Sequence, residues 1–147
     1  MTPGYIARHA PAQSAQGREA ALIDIAQDLL LRDLADQGVL ELVTFKGGTA
    51  LRKVYAGSGG RFSTDFAVAS PDDEYSSVSS LIENAINGRQ LGPFHYGIEH
   101  RRGRAHIVYT SEFGRYPGGA LQSKLDIGPP TWLSPTSRSW VPLSIHD

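Results

Sequence analysis

The chain has 147 residues, 40% of them hydrophobic and 20% charged, with a formal net charge of -1. This fits one globular domain of ordinary size and argues against a uniformly basic surface for nucleic acid, though not against a local patch. There is no cysteine, which excludes disulfides and thiolate metal sites and fits a cytoplasmic location. No signal-peptide pattern opens the chain, and no stretch reaches the roughly 18 apolar residues that a membrane span needs.

The first residues, "MTPGYIARHAPAQSAQG" (1–17), are rich in proline, glycine and small side chains and are expected to form a loose arm. Residues 18–147 then form a single domain. From Arg18 to Gln37, Leu22, Ile25, Ala26, Leu29, Leu30 and Leu34 recur at helical spacing, with Glu19, Asp24, Asp28 and Asp33 on other faces and Gly38 as a stop. "VLELVTF" (Val39 to Phe45) reads as a strand. Gly47-Gly48 break it, and Thr49 caps a short helix, "ALRKVY", before the loop "AGSGG". "RFSTDFAVA" alternates Phe62, Thr64, Phe66 and Val68 against Ser63, Asp65, Ala67 and Ala69, a strand with one core face and Asp65 on the other.

Pro71-Asp72-Asp73 opens a further helix, its acids placed against the N-terminal dipole. Val78, Leu81, Ile82, Ala85 and Ile86 form its apolar stripe, and Gly88 ends it. "FHYGIEHRRGRAHIVYTSEF" predicts a β-hairpin turning near Arg102-Gly103. "ALQSKLDIG" predicts a last strand with Leu121, Ser123, Leu125 and Ile127 on one side and Gln122, Lys124 and Asp126 on the other. The sum is an α/β (α+β) domain: a mixed β-sheet flanked by helices.

Two features carry chemistry. Glycines after a strand let a ligand approach the main chain, and a helix start offers free N–H groups to phosphate oxygens. Lys46, Arg52 and Lys53 add charge there. A plain strand-to-helix turn with a Thr cap is the competing reading, and no Walker P-loop spacing is present. Asp65 and Asp126 each sit in a strand-like apolar frame. Neighbouring strands would bring both carboxylates to one face, as magnesium with a bound phosphate requires. Each acid taken singly also fits a solvated strand residue or an ion-pair partner. The basic run "HRRGRAH" (100–106) suits an RNA backbone or a solvated turn. Trp132 and Trp140 suit base stacking or the cover of a sheet edge. The histidines lack zinc-site spacing, and none is assigned to a metal.

"FKGGTALRKVY…RFSTD" resembles the nucleotidyltransferase toxins of the AbiEii/AbiGii and MenT type, within the DNA polymerase β-like superfamily, over roughly Phe45 to Val68. The hallmark is Phe-Lys-Gly-Gly-Thr-Ser/Ala-Leu, a helix, and then Arg-Phe-Ser-x-Asp-x-Asp-Phe. The resemblance implies a nucleotidyltransferase fold. It also implies a toxin of a toxin–antitoxin or abortive-infection system that transfers nucleotides from NTP to an RNA end, the tRNA 3′ end, and is paired with an antitoxin protein. By the same resemblance Lys46, Gly47, Gly48 and Thr49 hold the triphosphate, and Arg61 and Ser63 support the nucleotide. Asp65 and Asp126 bind Mg²⁺, Asp126 activates the attacking hydroxyl, and Lys124 steadies phosphates.

Two departures follow. The second acid of the family's pair is Ala67 here, so a two-metal site is expected to be impaired; Asp72 and Glu74 lie too far along the chain to replace it. Family members also continue into a helical part, so the chain is expected to be truncated at its C-terminus. Three readings remain open at this point: a weakened transferase, a catalytically inactive remnant that binds nucleotide, RNA or antitoxin, and an α/β scaffold with no nucleotide site.

Overall fold

A computed structural model describes residues 1–10, 14–46, 66–69, 75–113 and 121–128. Its elements are α1 (Pro3–His9), α2 (Ala15–Asp36), a 3₁₀ turn (Val39–Leu42), β1 (Thr44–Lys46), β2 (Phe66–Ala69), α3 (Tyr75–Ile86), β3 (Gln90–Leu91), β4 (Phe94–Arg101), β5 (Arg104–Thr110) and β6 (Leu121–Gly128). The strands form one sheet in the order β1-β2-β6-β5-β4-β3. The β2–β6 pair is parallel, and the remaining pairs are antiparallel. The mixed sheet with flanking helices expected from the sequence is the one observed.

Strand alternation decides which face is core. Phe66 and Val68 of β2, Leu125 of β6, Ile107 and Tyr109 of β5, and Phe94 and Tyr96 of β4 are all buried. They meet Leu22, Leu30 and Leu34 of α2 and Ile82 and Ile86 of α3 in one apolar cluster. Each such side chain contributes roughly 1.5–3 kcal/mol relative to exposure, so this face fixes the register. Ser123 also points inward at 1% exposure. It is tolerated because Tyr109 Oη donates to its Oγ at 2.9 Å and Gln27 Nε2 donates at 3.3 Å. Tyr96 Oη donates to the Ala26 carbonyl at 2.6 Å, and its ring meets Tyr109 edge-on at 5.6 Å.

Burial pushes both phenols well above the usual tyrosine range; for Tyr109 the hydrogen bonds to Ser123 and Gln27 offset part of the rise. In the unfolded chain these groups ionise near 10.0. The folded state therefore keeps protons that the unfolded state releases, and stability falls as pH rises through that value. The expected slope is about 1.4 kcal/mol per pH unit for each phenol. Chemical denaturation at stepped alkaline pH should show this loss. Ultraviolet titration should show Tyr96 and Tyr109 ionising only together with unfolding.

Three expectations are corrected. The segment 1–17 is not a loose arm throughout. Thr2 Oγ1 accepts from Tyr5 N to cap α1, and Ile6 and His9 are buried. The second correction concerns α2. Asp24 and Asp28, read as lying on other faces of an amphipathic helix, are each 1% exposed, and α1 packs against α2 with His9 beside Asp24. Asp24 Oδ2 lies 2.7 Å from His9 Nε2, and Asp28 Oδ2 lies 3.5 Å from Arg32. Burying carboxylates without such partners would be strongly unfavourable. Tyr5 packs nearby, its phenol raised by burial and then by the charge of Asp28.

The third correction concerns "VLELVTF". Gly38 at φ +78 ends α2, and the chain turns at once into the 3₁₀ segment, so Val39 packs into the core. Strand geometry begins only at Thr44. In α3, Ile82 and Ile86 are core while Leu81 stays 43% exposed, so the stripe is narrower than its spacing suggests. The hairpin turns as expected, with Arg102 and Gly103 both left-handed at φ 52 and 76. These values suit the two-residue type I′ connection that matches strand twist.

Candidate active site

The functional question concerns the exposed side chains of β6 and the end of the sheet beside them. On β6 the alternation that buries Ser123 and Leu125 leaves Gln122, Lys124 and Asp126 exposed. The parallel β2–β6 register pairs Ala67 with Asp126, and the β1–β2 register pairs Lys46 with Ala67. Lys46, Ala67 and Asp126 therefore stand in one row across three adjacent strands, each about 4.8 Å from the next. Lys124 is two positions along β6, paired in register with His106 of β5.

Of the residues assigned to a site from sequence, Lys124 and Asp126 are described with their side chains, and Lys46 by its strand position. Gly47, Gly48, Thr49, Arg61, Ser63 and Asp65 lie outside the described residues. For the two acid frames to share a face their strands must adjoin: β2, which begins at Phe66, and β6 are direct neighbours, while Asp65 lies outside the described residues. Ala67, the departure from the family pattern, is the register partner of Asp126 itself.

Sequence reading missed the wall of this site. The β5–β6 ladder runs to Ala105↔Leu125, and one further step brings Arg104 level with Asp126. A cleft of ≈ 600 Å³ lies there, lined among the described residues by Ala67, Ser79, Glu83, His100, Gly103, Arg104 and the Lys124–Ile127 run. It exists because β2 pairs with the later half of β6 and β5 with the earlier half, which leaves a notch beside the hairpin turn. His100 Nε2 lies 3.2 Å from Glu83 Oε1 on its rim. The signal was available in the hairpin pattern, but only with the β5–β6 register in hand.

Electrostatically the notch mixes two carboxylates, Asp126 and Glu83, with the cations Lys124 and Arg104, and Glu83 is engaged by His100. Asp126, Lys124 and Arg104 are exposed and make no salt bridge to a described residue. No group of three His, Asp or Glu side chains that could hold a metal occurs among the described residues. Of the two carboxylates there, Asp126 makes no ion pair with a described residue, whereas Glu83 meets His100.

This architecture is that of a nucleotidyltransferase toxin. It matches MenT4, a nucleotidyltransferase toxin from Mycobacterium tuberculosis H37Rv, with a TM-score of 0.80 and 32% identity over 99% of this chain and 50% of that one. The family model described as nucleotidyl transferase AbiEii toxin, type IV TA system, matches residues 28–145, and the chain belongs to that family. It spans about half the length of MenT4. No curated protein gave a match. No helix among the described residues is long and apolar enough to cross a membrane.

Proposed function

We propose that the chain is the nucleotide-handling domain of a toxin that takes nucleotides from NTP and adds them to an RNA end, with the tRNA 3′ end as acceptor. A cognate antitoxin and a cytoplasmic location belong to the same reading. The observation that supports it is the Ala67↔Asp126 register. The position of the family's second acid adjoins the β6 acid, beside an open cleft that also holds Lys124 and Arg104.

In this reading Asp126 takes up the proton of the attacking hydroxyl as its oxygen bonds to the α-phosphorus and pyrophosphate leaves. Lys124 steadies the phosphates, and Lys46, Gly47, Gly48, Thr49, Arg61 and Ser63 hold and support the nucleotide. Mg²⁺ fits the donor chemistry, because Asp126 offers an exposed carboxylate and magnesium needs only one or two together with substrate phosphates. Asp65 and Asp126 would hold it, and when bound it supplies positive charge to the phosphoryl oxygens.

Ala67 favours a second reading, a domain that binds NTP, RNA or antitoxin without catalysis. One pair of measurements separates the two. NTP with Mg²⁺ should raise the thermal midpoint by several degrees, since a ligand at a hundred times its Kd adds about 2.7 kcal/mol. Labelled NTP should then appear in tRNA above a buffer blank. Stabilisation without incorporation supports the binding module, and no stabilisation at any Mg²⁺ level rejects the transferase and leaves the second reading only RNA or antitoxin as its ligand.

A further inference from the structure

We infer that the β4–β5 hairpin tip is a docking surface for the phosphate backbone of RNA, laid so that an RNA end reaches the Asp126 notch. This inference rests on the reading of the chain as an RNA-directed transferase domain.

The chain carries a net charge of -1, yet Arg101, Arg102 and Arg104 fall within four consecutive positions. All three are exposed, and with His106 they line a shallow concavity on the hairpin. Arg101 is engaged: its Nε donates to Glu99 Oε2 at 3.1 Å and its Nη1 to Gln122 Oε1 at 2.9 Å. Arg102 and Arg104 make no salt bridge to a described residue. Among the described residues, no carboxylate competes with an anion for these two guanidinium groups. Their planar fork suits phosphate oxygens, which accept two parallel N–H bonds.

The turn makes the surface rigid. Arg102 and Gly103 are both left-handed in a two-residue connection, so the arginines are presented with little loop entropy left to lose. Position is the second independent point. Arg104 lines both the basic concavity and the cleft that contains Lys124 and Asp126. A polyanion following the arginines runs directly into the notch. An acidic protein segment would also meet the charge, but the paired N–H donors of the arginines suit phosphate oxygens, and the surface continues to Lys124 in the notch.

The test uses the intact chain and a fluorescent RNA hairpin with a single-stranded 3′ extension, titrated at several salt concentrations. Arg102→Ala with Arg104→Ala should weaken binding about tenfold near 0.1 M salt and reduce the slope of log K against log salt by about 1.5. Glu99→Gln should strengthen binding by a few fold, because it removes the carboxylate that neutralises Arg101. Both sites are exposed, and unchanged thermal midpoints exclude misfolding as the cause. Unaltered affinity and slope in the arginine variant overturn the inference. So does loss of binding to polyglutamate with RNA binding intact. NTP-dependent stabilisation is a separate readout. If it is absent while hairpin-dependent RNA binding persists, the transferase reading fails and the docking surface stands. If it is present without hairpin-dependent RNA binding, only the surface fails.

Discussion

Ala67→Asp is expected to raise nucleotide incorporation into RNA by a hundredfold or more, about the cost of removing one charge-stabilising group from an active site. The expectation follows from register. Ala67 is paired across the β2–β6 ladder with Asp126, so an aspartate at 67 stands about 4.8 Å from it on the same face. Ala67 is only half-buried and borders the cleft, so the larger side chain has room without repacking the core. Two carboxylates this close repel by roughly 1–3 kcal/mol at effective dielectrics between water and a protein surface. The variant should therefore melt lower than the parent in EDTA and gain more from Mg²⁺, because the cation relieves a repulsion the parent does not have. The thermal readout is independent of activity. A variant that transfers no faster and shows no extra Mg²⁺ response would remove the row Lys46–Ala67–Asp126 from the nucleotide site.

Sequence patterning resolved the elements whose residues obey one period. The alternation in "ALQSKLDIG" assigned every described residue of β6 to the correct face, including Ser123, whose inward position is explained by the Tyr109 and Gln27 hydrogen bonds. The hairpin was legible from its turn chemistry. What failed had a common cause, which is that long-range packing does not show in local pattern. The Pro-Gly-rich opening reads as unstructured, but Ile6 and His9 gain burial only because α2 offers them a surface. Asp24 and Asp28, read only as lying on other faces of α2, are buried, and it is His9 of α1 that meets Asp24. The same holds for the site. Two acid frames could be named from sequence, but that Ala67 adjoins Asp126, and that Arg104 comes level with it, depends on which strands pair and in what register.

Asp126→Asn should abolish both nucleotide incorporation and the Mg²⁺-dependent part of the NTP thermal shift while leaving the fold unchanged. The side chain is exposed and makes no salt bridge to a described residue, so its replacement by an amide of the same shape should change stability by no more than about 0.5 kcal/mol. Its charge is another matter. With alanine at 67, Asp126 is the sole carboxylate in the described row across β1, β2 and β6, and an amide neither holds magnesium as a charged ligand nor takes up a proton. The decisive measurement is the double variant. If the carboxylates at 67 and 126 act on one bound ion, the gain from Ala67→Asp should vanish when Asp126 is asparagine, a departure from additivity well above the few tenths of a kcal/mol seen for independent sites. Additive effects would mean that the two positions, though paired in the sheet, serve different ligands. In that case the exposed face of β6 would have to be read as a binding surface rather than as the place of transfer.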